Sequence, residues 1–305
     1  YYKEWILTAT AKETILNAKK KCLTNFRQMV SSINIKLETT QIYQCQNRWK
    51  EIDFEKKVTS ITMRKQSKAF LYTNKHVTES NSNYYDRMTC SNNYKNFISK
   101  CQNNNVNIKG KRVSIIDFVR DAYFLNDNDY YEKELLNSQW RDNSTQNENL
   151  GNIIAMVDTS YSMHDNKMNP YFSAIGLGLR ISEKSKFGNR VMTFSTNPKW
   201  INLDDVKDDF VESVKKISKG EFGGSTNFRK ALELILDTAI INNIHPKDME
   251  NMTLVILSDM QIDCADNSSF TIESMIESIE NKYYNAGLDT VYKMPYNIPN
   301  IVFWN

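Results

Sequence analysis

The sequence predicts an α/β protein, with a mostly helical domain at residues 1–148 and a domain built on a mainly parallel sheet at residues 149–305. Three observations lead to this prediction. The length of 305 residues exceeds that of a usual single core. Apolar residues in the first half recur mostly three or four positions apart, as on one face of a helix. After Leu150, short apolar runs alternate with longer amphipathic segments, which is typical of βαβ units.

The first half is predicted to be a helical array. Its apolar positions begin at Trp5 and Ile6 and continue through Leu23 and Phe26. Residues 76–109 are rich in Asn, Ser and Tyr, so we expect a helical insertion there that carries loops. Residues 137–148 are polar enough to be the linker between the halves, which places the boundary near Asn149.

The second half is predicted to alternate strands and helices. We expect strands at 152–157, 190–194, 253–257 and 301–303, with a short edge strand near 200–203. The helices between them are expected at 170–185, 205–218, 227–242 and 270–284. Gly176 and Gly178 lie in the first of these helices, where we expect close packing on the sheet.

Composition indicates a folded protein, because 40% of residues are hydrophobic and 25% are charged. A net charge of +3, spread along the chain, does not by itself indicate nucleic-acid binding. The five cysteines form no CxxC pair, which argues against a disulfide framework and a zinc knuckle, so we expect an intracellular, cytoplasmic protein. The apolar runs are shorter than the ~20 residues that a membrane span needs. Because the chain begins at Tyr1 and ends just after an apolar strand, we expect a segment of a longer polypeptide.

Oxygen-bearing side chains follow the first predicted strand, in the stretch Asp158-Thr159-Ser160-Tyr161-Ser162. Ligands of open α/β sheets bind at the carboxyl ends of the strands. One carboxylate and two hydroxyls on alternating residues of a tight loop can face one point, and such oxygen donors suit Mg²⁺ or Mn²⁺. The sequence therefore predicts a metal site at Asp158, Ser160 and Ser162.

Two further oxygen donors are expected at the same edge of the sheet. Thr226 ends a loop with Gly223 and Gly224 and precedes a predicted helix. Asp259 follows the strand predicted at 253–257. We therefore expect five oxygen donors to converge on one divalent ion.

The order DxSxS, a distant Thr and then an Asp after a strand resembles the metal-ion-dependent adhesion site of von Willebrand factor A domains. The resemblance covers the second half and implies a Rossmann-like fold, with Ser160, Ser162 and Thr226 contacting Mg²⁺. It implies that Asp158 and Asp259 act directly or through water, and that one coordination position is left for a partner's carboxylate. A full A domain continues beyond the strand at 301–303, so we expect this one to be truncated at its C-terminal end.

A broader resemblance involves both halves of the chain. The stretches Asn47-Arg48-Trp49-Lys50, Ser67-Lys68-Ala69-Phe70 and Gly223-Gly224-Ser225-Thr226-Asn227-Phe228 are similar to those of an uncharacterised family of plants, fungi and large DNA viruses. The resemblance to that family does not indicate an activity. A viral source would make the protein a candidate virion component.

Several alternatives stay open for these residues. Taken singly, Ser162 and Thr226 are more typical of helix caps than of metal ligands, and His164 is more typical of an exposed loop than of a ligand contact. The sequence lacks a GxSxG nucleophile elbow, and the glycine loop lacks the lysine of a phosphate-binding loop. We therefore expect no enzymatic activity.

The favoured hypothesis is a non-enzymatic binding or scaffolding protein that captures an acidic group of a protein partner through Mg²⁺. The alternative is RNA binding through Lys19, Lys20 and Lys21, because the architecture resembles Ro-type ribonucleoproteins, which join a helical half to an A domain. A third reading is that the ion only holds three loops together.

Overall fold

The computed structural model describes residues 12–73, 83–102, 108–219, 227–259 and 272–304. The chain divides into two compact units, residues 1–107 and residues 108–305. The domain boundary predicted at 148 and 149 therefore falls inside the second unit. No helix among the described residues is both long enough and apolar enough to cross a membrane.

The first unit is helical, as the apolar spacing predicts. Its helices are α1 (Lys12–Lys36), α2 (Thr40–Cys45), a short 3-10 helix (Trp49–Glu51), α3 (Ser60–Leu71) and α4 (Tyr84–Gln102). The described residues of this unit form no strand. Helix α4 occupies most of the predicted insertion at 76–109 and buries its apolar side, so this segment belongs to the core of the unit.

Aromatic side chains form the centre of the first unit. The ring centroids of Phe54, Phe70 and Tyr94 lie 5.1–5.6 Å apart, and all three residues are buried. The carboxylate of Asp86 accepts hydrogen bonds from the backbone N–H groups of Trp49 (2.7 Å) and Lys50 (3.1 Å), which fixes the 3-10 helix on α4. Core packing and this cap together hold the helices of the unit.

The second unit begins with two helices, α5 (Ile115–Tyr123) and α6 (Tyr130–Ser144). The predicted linker at 137–148 is therefore wrong over most of its length, because α6 continues to Ser144. Its polar residues are buried and bonded: the Asn137 amide donates to Asp209, and the Gln139 amide donates to the Lys109 carbonyl oxygen. Internal hydrogen bonding, and not exposure to solvent, explains the polarity of this segment.

A five-stranded sheet lies at the centre of the second unit. Its strands are β1 (Ile153–Asp158), β2 (Arg190–Phe194), β3 (Trp200–Asn202), β4 (Thr253–Leu257) and β5 (Asn300–Trp304). The strand order is β3-β2-β1-β4-β5, and all pairs are parallel except that of β2 with β3. The register pairs Asp158 with Phe194 and Val157 with Leu257. The prediction of a mainly parallel sheet is confirmed.

Helices cover both faces of this sheet. They are α7 (Asp165–Lys184), α8 (Phe210–Ser218), α9 (Phe228–Ile241), the short α10 (Pro246–Met249) and α11 (Ile272–Asp289). Ala155 and Val157 of β1 face a core shared with α5, α6, α7 and α8, whereas Ile154 and Met156 face α9 and α11. Because successive residues of a strand point to opposite faces, the apolar residues of β1 from Ile153 to Val157 pack on both sides of the sheet.

Helix α7 lies between the sheet and the outer helices. A Cβ atom on Gly178 would lie 2.5 Å from Cγ2 of Val157, so this glycine allows the close packing on β1 that the sequence predicts. A Cβ atom on Gly176 would lie 2.2 Å from Cγ2 of Ile115, so that glycine faces α5 and not the sheet. The two glycines therefore serve two different packing surfaces of one buried helix.

Candidate functional site

The candidate site lies at the carboxyl end of β1, where the connections diverge. Helix α7 leads from β1 to β2 on one face of the sheet, whereas α9 precedes β4 on the other face. The neighbours of β1 are thus reached by connections on opposite faces. In open α/β sheets, such a switch point leaves a crevice in which ligands bind.

Asp158 is the last residue of β1 and is fully buried. Its Oδ1 atom accepts a hydrogen bond from the backbone N–H of Ser160 at 2.8 Å, and its Oδ2 atom accepts one from the Ser258 hydroxyl. Ser258 directly follows β4 and is itself buried. The carboxylate therefore fixes the loop after β1 against the end of the neighbouring strand.

The charge of Asp158 has no cationic partner in the part of the chain that the structure describes. Its described contacts are the two hydrogen bonds from Ser160 and Ser258, and none is with a lysine or arginine. Burying an ionised carboxylate without a counter-charge is costly, and buried charges are usually paired or coordinate a metal. This position therefore favours a cation.

Two hydroxyls lie next to this carboxylate. The Oγ atoms of Ser160 and Ser162 are 2.9 Å apart. A short 3-10 helix, Tyr161–His164, follows Ser160 and turns the chain tightly enough for the two side chains to meet. The structure thus brings Asp158, Ser160 and Ser162 together, as the sequence predicts.

The other two predicted ligands belong to neighbouring loops. Asp259 is half-buried and stands two positions beyond the Val157–Leu257 pair, on the loop after β4. Thr226 and its glycine loop lie outside the described residues. The next residue, Asn227, donates its backbone N–H to the Ser195 carbonyl oxygen at 3.3 Å, directly after β2. The helix that follows Thr226 therefore starts at the same edge of the sheet.

Aromatic rings form a stack beside the serines. His164 packs between Tyr161 and Tyr171, with centroid distances of 5.8 Å and 4.7 Å and interplanar angles near parallel, 25° and 24°. Tyr161 is 84% exposed, whereas Tyr171 is buried, and burial raises the pKa of Tyr171 to about 12. Nδ1 of His164 lies 3.3 Å from the Ser160 carbonyl oxygen. The histidine therefore supports the turn that holds the serines.

Sequence reasoning missed two residues of this site. It treats His164 as an exposed loop residue, although its spacing of three from Tyr161 and seven from Tyr171 is that of one helix face. It also omits Ser258, which bonds Asp158 although it stands next to the predicted ligand Asp259. Among the described residues, no group of three or more His, Cys, Asp or Glu side chains is placed to hold a metal. An ion at this site would therefore depend on hydroxyl ligands.

The three lysines predicted for RNA binding lie elsewhere, on α1 of the first unit. Lys19, Lys20 and Lys21 are all exposed. Successive residues of a helix are turned by about 100°, so the three side chains leave the helix in three directions. They do not form a one-sided basic patch.

Comparison with known proteins gives a family without a described activity. The family described as Domain of unknown function (DUF7788) matches residues 152–305. The chain is also 27% identical over 285 residues to "Uncharacterized protein L728" of Acanthamoeba polyphaga mimivirus. This match covers 92% of the present chain and 46% of the viral protein. The chain thus spans about half the length of this relative. No solved structure matches the chain.

Proposed function

The chain belongs to the family described as Domain of unknown function (DUF7788), and for this member we propose a non-enzymatic, metal-dependent binding function. In this proposal, the sheet edge around Asp158 holds Mg²⁺ or Mn²⁺, and the ion captures an acidic group of a protein partner. The observation that carries the proposal is the fully buried carboxylate of Asp158, which two neutral donors bind and no described cation neutralises.

The surrounding side chains fit a hard divalent ion. The hydroxyls of Ser160 and Ser162 adjoin each other beside Asp158, and oxygen donors of this kind suit Mg²⁺ and Mn²⁺. Asp259 and Thr226 would complete the set, as the resemblance to the adhesion site of von Willebrand factor A domains implies. The strand order with β1 at the centre is compatible with the Rossmann-like fold of those domains.

A bound ion would supply a positive centre that attracts an external carboxylate, because hydroxyl ligands are neutral and leave much of its charge uncompensated. The chain's own residues then have simple roles. Ser258 and the Ser160 N–H orient the Asp158 carboxylate, and the His164 stack supports the serine turn. Nδ1 of His164 lies against the Ser160 carbonyl oxygen, which is consistent with a supporting role for this side chain.

We also propose an intracellular site of action. The described cysteines Cys22, Cys45 and Cys90 form no disulfide, which is usual in reducing compartments. The run Lys19, Lys20 and Lys21 gives the RNA-binding alternative no one-sided patch, since its three side chains point in different directions.

The test is isothermal titration of Mg²⁺ and Mn²⁺ into chain treated with EDTA. We expect one ion to bind the wild type and none to bind Asp158→Asn, with Ser162→Ala weakening the affinity by about tenfold. Ser213→Ala, which removes a hydroxyl bonded within the segment around α8, is the matched control and is expected to bind as the wild type does. Equal binding by wild type and Asp158→Asn would refute the site.

The capture of an acidic group needs a second measurement. We expect immobilised peptides that contain Asp or Glu to retain the chain in Mg²⁺ and to release it in EDTA. Matched peptides with Asn or Gln at the same positions are the control. If metal binds but acidic and amide peptides behave alike, the ion is structural and the binding function is wrong.

A further inference from the structure

Helix α1 exposes a regular line of large apolar side chains. Leu16, Leu23, Phe26, Ile33 and Leu37 are each 43–60% exposed. Their spacing alternates between three and four once Lys19 and Val30 are included, which is the a and d pattern of a heptad repeat. We call these seven positions the α1 seam. Residues 12–37 contain neither glycine nor proline, so six seam positions lie on one uninterrupted helix, Lys12–Lys36, and Leu37 directly follows it.

The charges around the α1 seam are of one sign. Residues 14–37 contain no Asp or Glu. Lys20 and Arg27 each follow a d position directly and therefore occupy e positions of the repeat. In coiled coils, charged residues at e positions determine which partner binds. Lys19 lies on the seam itself. All three are exposed. Two copies of this helix would place like charges together, whereas an acidic helix would neutralise them.

We propose that the α1 seam docks an acidic amphipathic helix of a partner protein. Apolar side chains of that helix would cover Leu23, Phe26 and Ile33, and its flanking acidic residues would face Lys20 and Arg27. This inference is independent of the metal site. A bilayer is a poorer match, because a helix that lies on a membrane carries its lysines on the polar face, whereas Lys19 lies within the apolar line.

The test uses the full chain and two synthetic peptides of four heptads, both with Leu at a and d positions. One peptide has Glu at all e and g positions and the other has Lys. We expect fluorescence anisotropy to show binding of the acidic peptide only, with an affinity that falls as salt rises. Phe26→Ser and Ile33→Ser should each weaken this binding by about tenfold or more.

Two control variants separate the seam from the rest of the helix. Ile35→Ser removes an apolar side chain that is 55% exposed but points away from the seam, and it should leave the affinity unchanged. The double variant Lys20→Glu, Arg27→Glu should transfer the preference to the basic peptide, whereas Lys21→Glu should not. All these positions are exposed, so the variants are expected to fold, which circular dichroism checks.

Four results would overturn the inference. The first is no binding of the acidic peptide, and the second is an equal loss with Ile35→Ser and Phe26→Ser. The third is a dimer in sedimentation that Phe26→Ser dissociates, which would make a second copy the occupant. The fourth is tighter binding to phosphatidylserine vesicles or single-stranded RNA than to the peptide, which would assign the face to a membrane or to nucleic acid.

Discussion

Replacing Asp158 with asparagine is expected to stabilise the metal-free chain but to make it less stable than the wild type when Mg²⁺ is present. The reason lies in the two contacts of this side chain. In the wild type, the Ser160 N–H donates to Asp158 Oδ1 at 2.8 Å, and an asparagine Oδ1 can accept the same bond. The asparagine amide can donate to the Ser258 hydroxyl, which bonds Asp158 in the wild type. The substitution therefore keeps both hydrogen bonds and removes the buried charge.

The magnitude follows from opposing contributions. An unpaired buried ion costs several kcal/mol, and two hydrogen bonds to a charged group recover about 1.5–3 kcal/mol each. Asparagine keeps two neutral hydrogen bonds of about 0.5–1.5 kcal/mol each and avoids the cost of the buried ion, so we expect Asp158→Asn to raise the free energy of unfolding of the metal-free chain by about 1–2 kcal/mol. Binding of Mg²⁺ at about one hundred times its dissociation constant would stabilise the wild type by about 2.7 kcal/mol. In Mg²⁺, the free energy of unfolding of the wild type should then be about 1 kcal/mol higher than that of the variant.

The assay is urea unfolding, carried out once in EDTA and once in excess Mg²⁺. Hydrogen exchange of peptides from β1 and β4 monitors the unfolding, so that the measurement reports on the sheet. Asp127→Asn removes a fully exposed carboxylate bonded to Lys215 and controls for net charge. A variant that is less stable than the wild type in EDTA would contradict the buried-charge argument. An equal gain from Mg²⁺ in both proteins would place the ion elsewhere.

Three further predictions concern packing and reactivity in the chain. Gly178→Ala should lower the free energy of unfolding by about 1–3 kcal/mol, because its new methyl group would lie 2.5 Å from Cγ2 of Val157; urea unfolding should show partial recovery when Val157→Ala is added. Arg180→Ala should lower the free energy of unfolding by about 3 kcal/mol in the same assay, because the buried Arg180 guanidinium stacks on the Trp140 indole and pairs with Glu183. A decrease below about 1 kcal/mol would contradict this. Burial raises the pKa of Cys90 to about 12, so at pH 8 iodoacetamide should label exposed Cys45 much faster, as peptide mass spectrometry would show, and equal rates would refute the buried position.

The elements of the sheet are readable from sequence because each apolar run is short and bounded by polar residues. The predicted bounds of β2 and β4 agree with the structure at both ends. Helix α8 begins later than predicted, at Phe210, because Asp209 caps it by accepting a hydrogen bond from the backbone N–H of Glu212. Local patterns thus determine which elements form, and side-chain caps determine where they start.

The polar part of α6 was not readable in this way. Asn143 donates to the carbonyl oxygen of Gly110 and accepts from Arg180, and both partners are distant in sequence. A single sequence shows that Asn143 is polar but not that it is buried and bonded. The same limit applies to the candidate site, where the sequence predicts the positions of Asp158 and its serines but not the bond from Ser258, a hundred residues away.

Helix α7 packs on residues that lie outside the part of the chain matched to the family. The part of the chain that defines its family begins at residue 152, after α5 and α6. Yet those helices pack on the outer side of α7, where Gly176 meets Ile115, and they share its core. A protein fragment that begins at residue 152 would contain the sheet and α7 but not the two helices that cover the outer side of α7. The apolar residues of α7 that α5 and α6 cover in the whole chain would then be exposed to water.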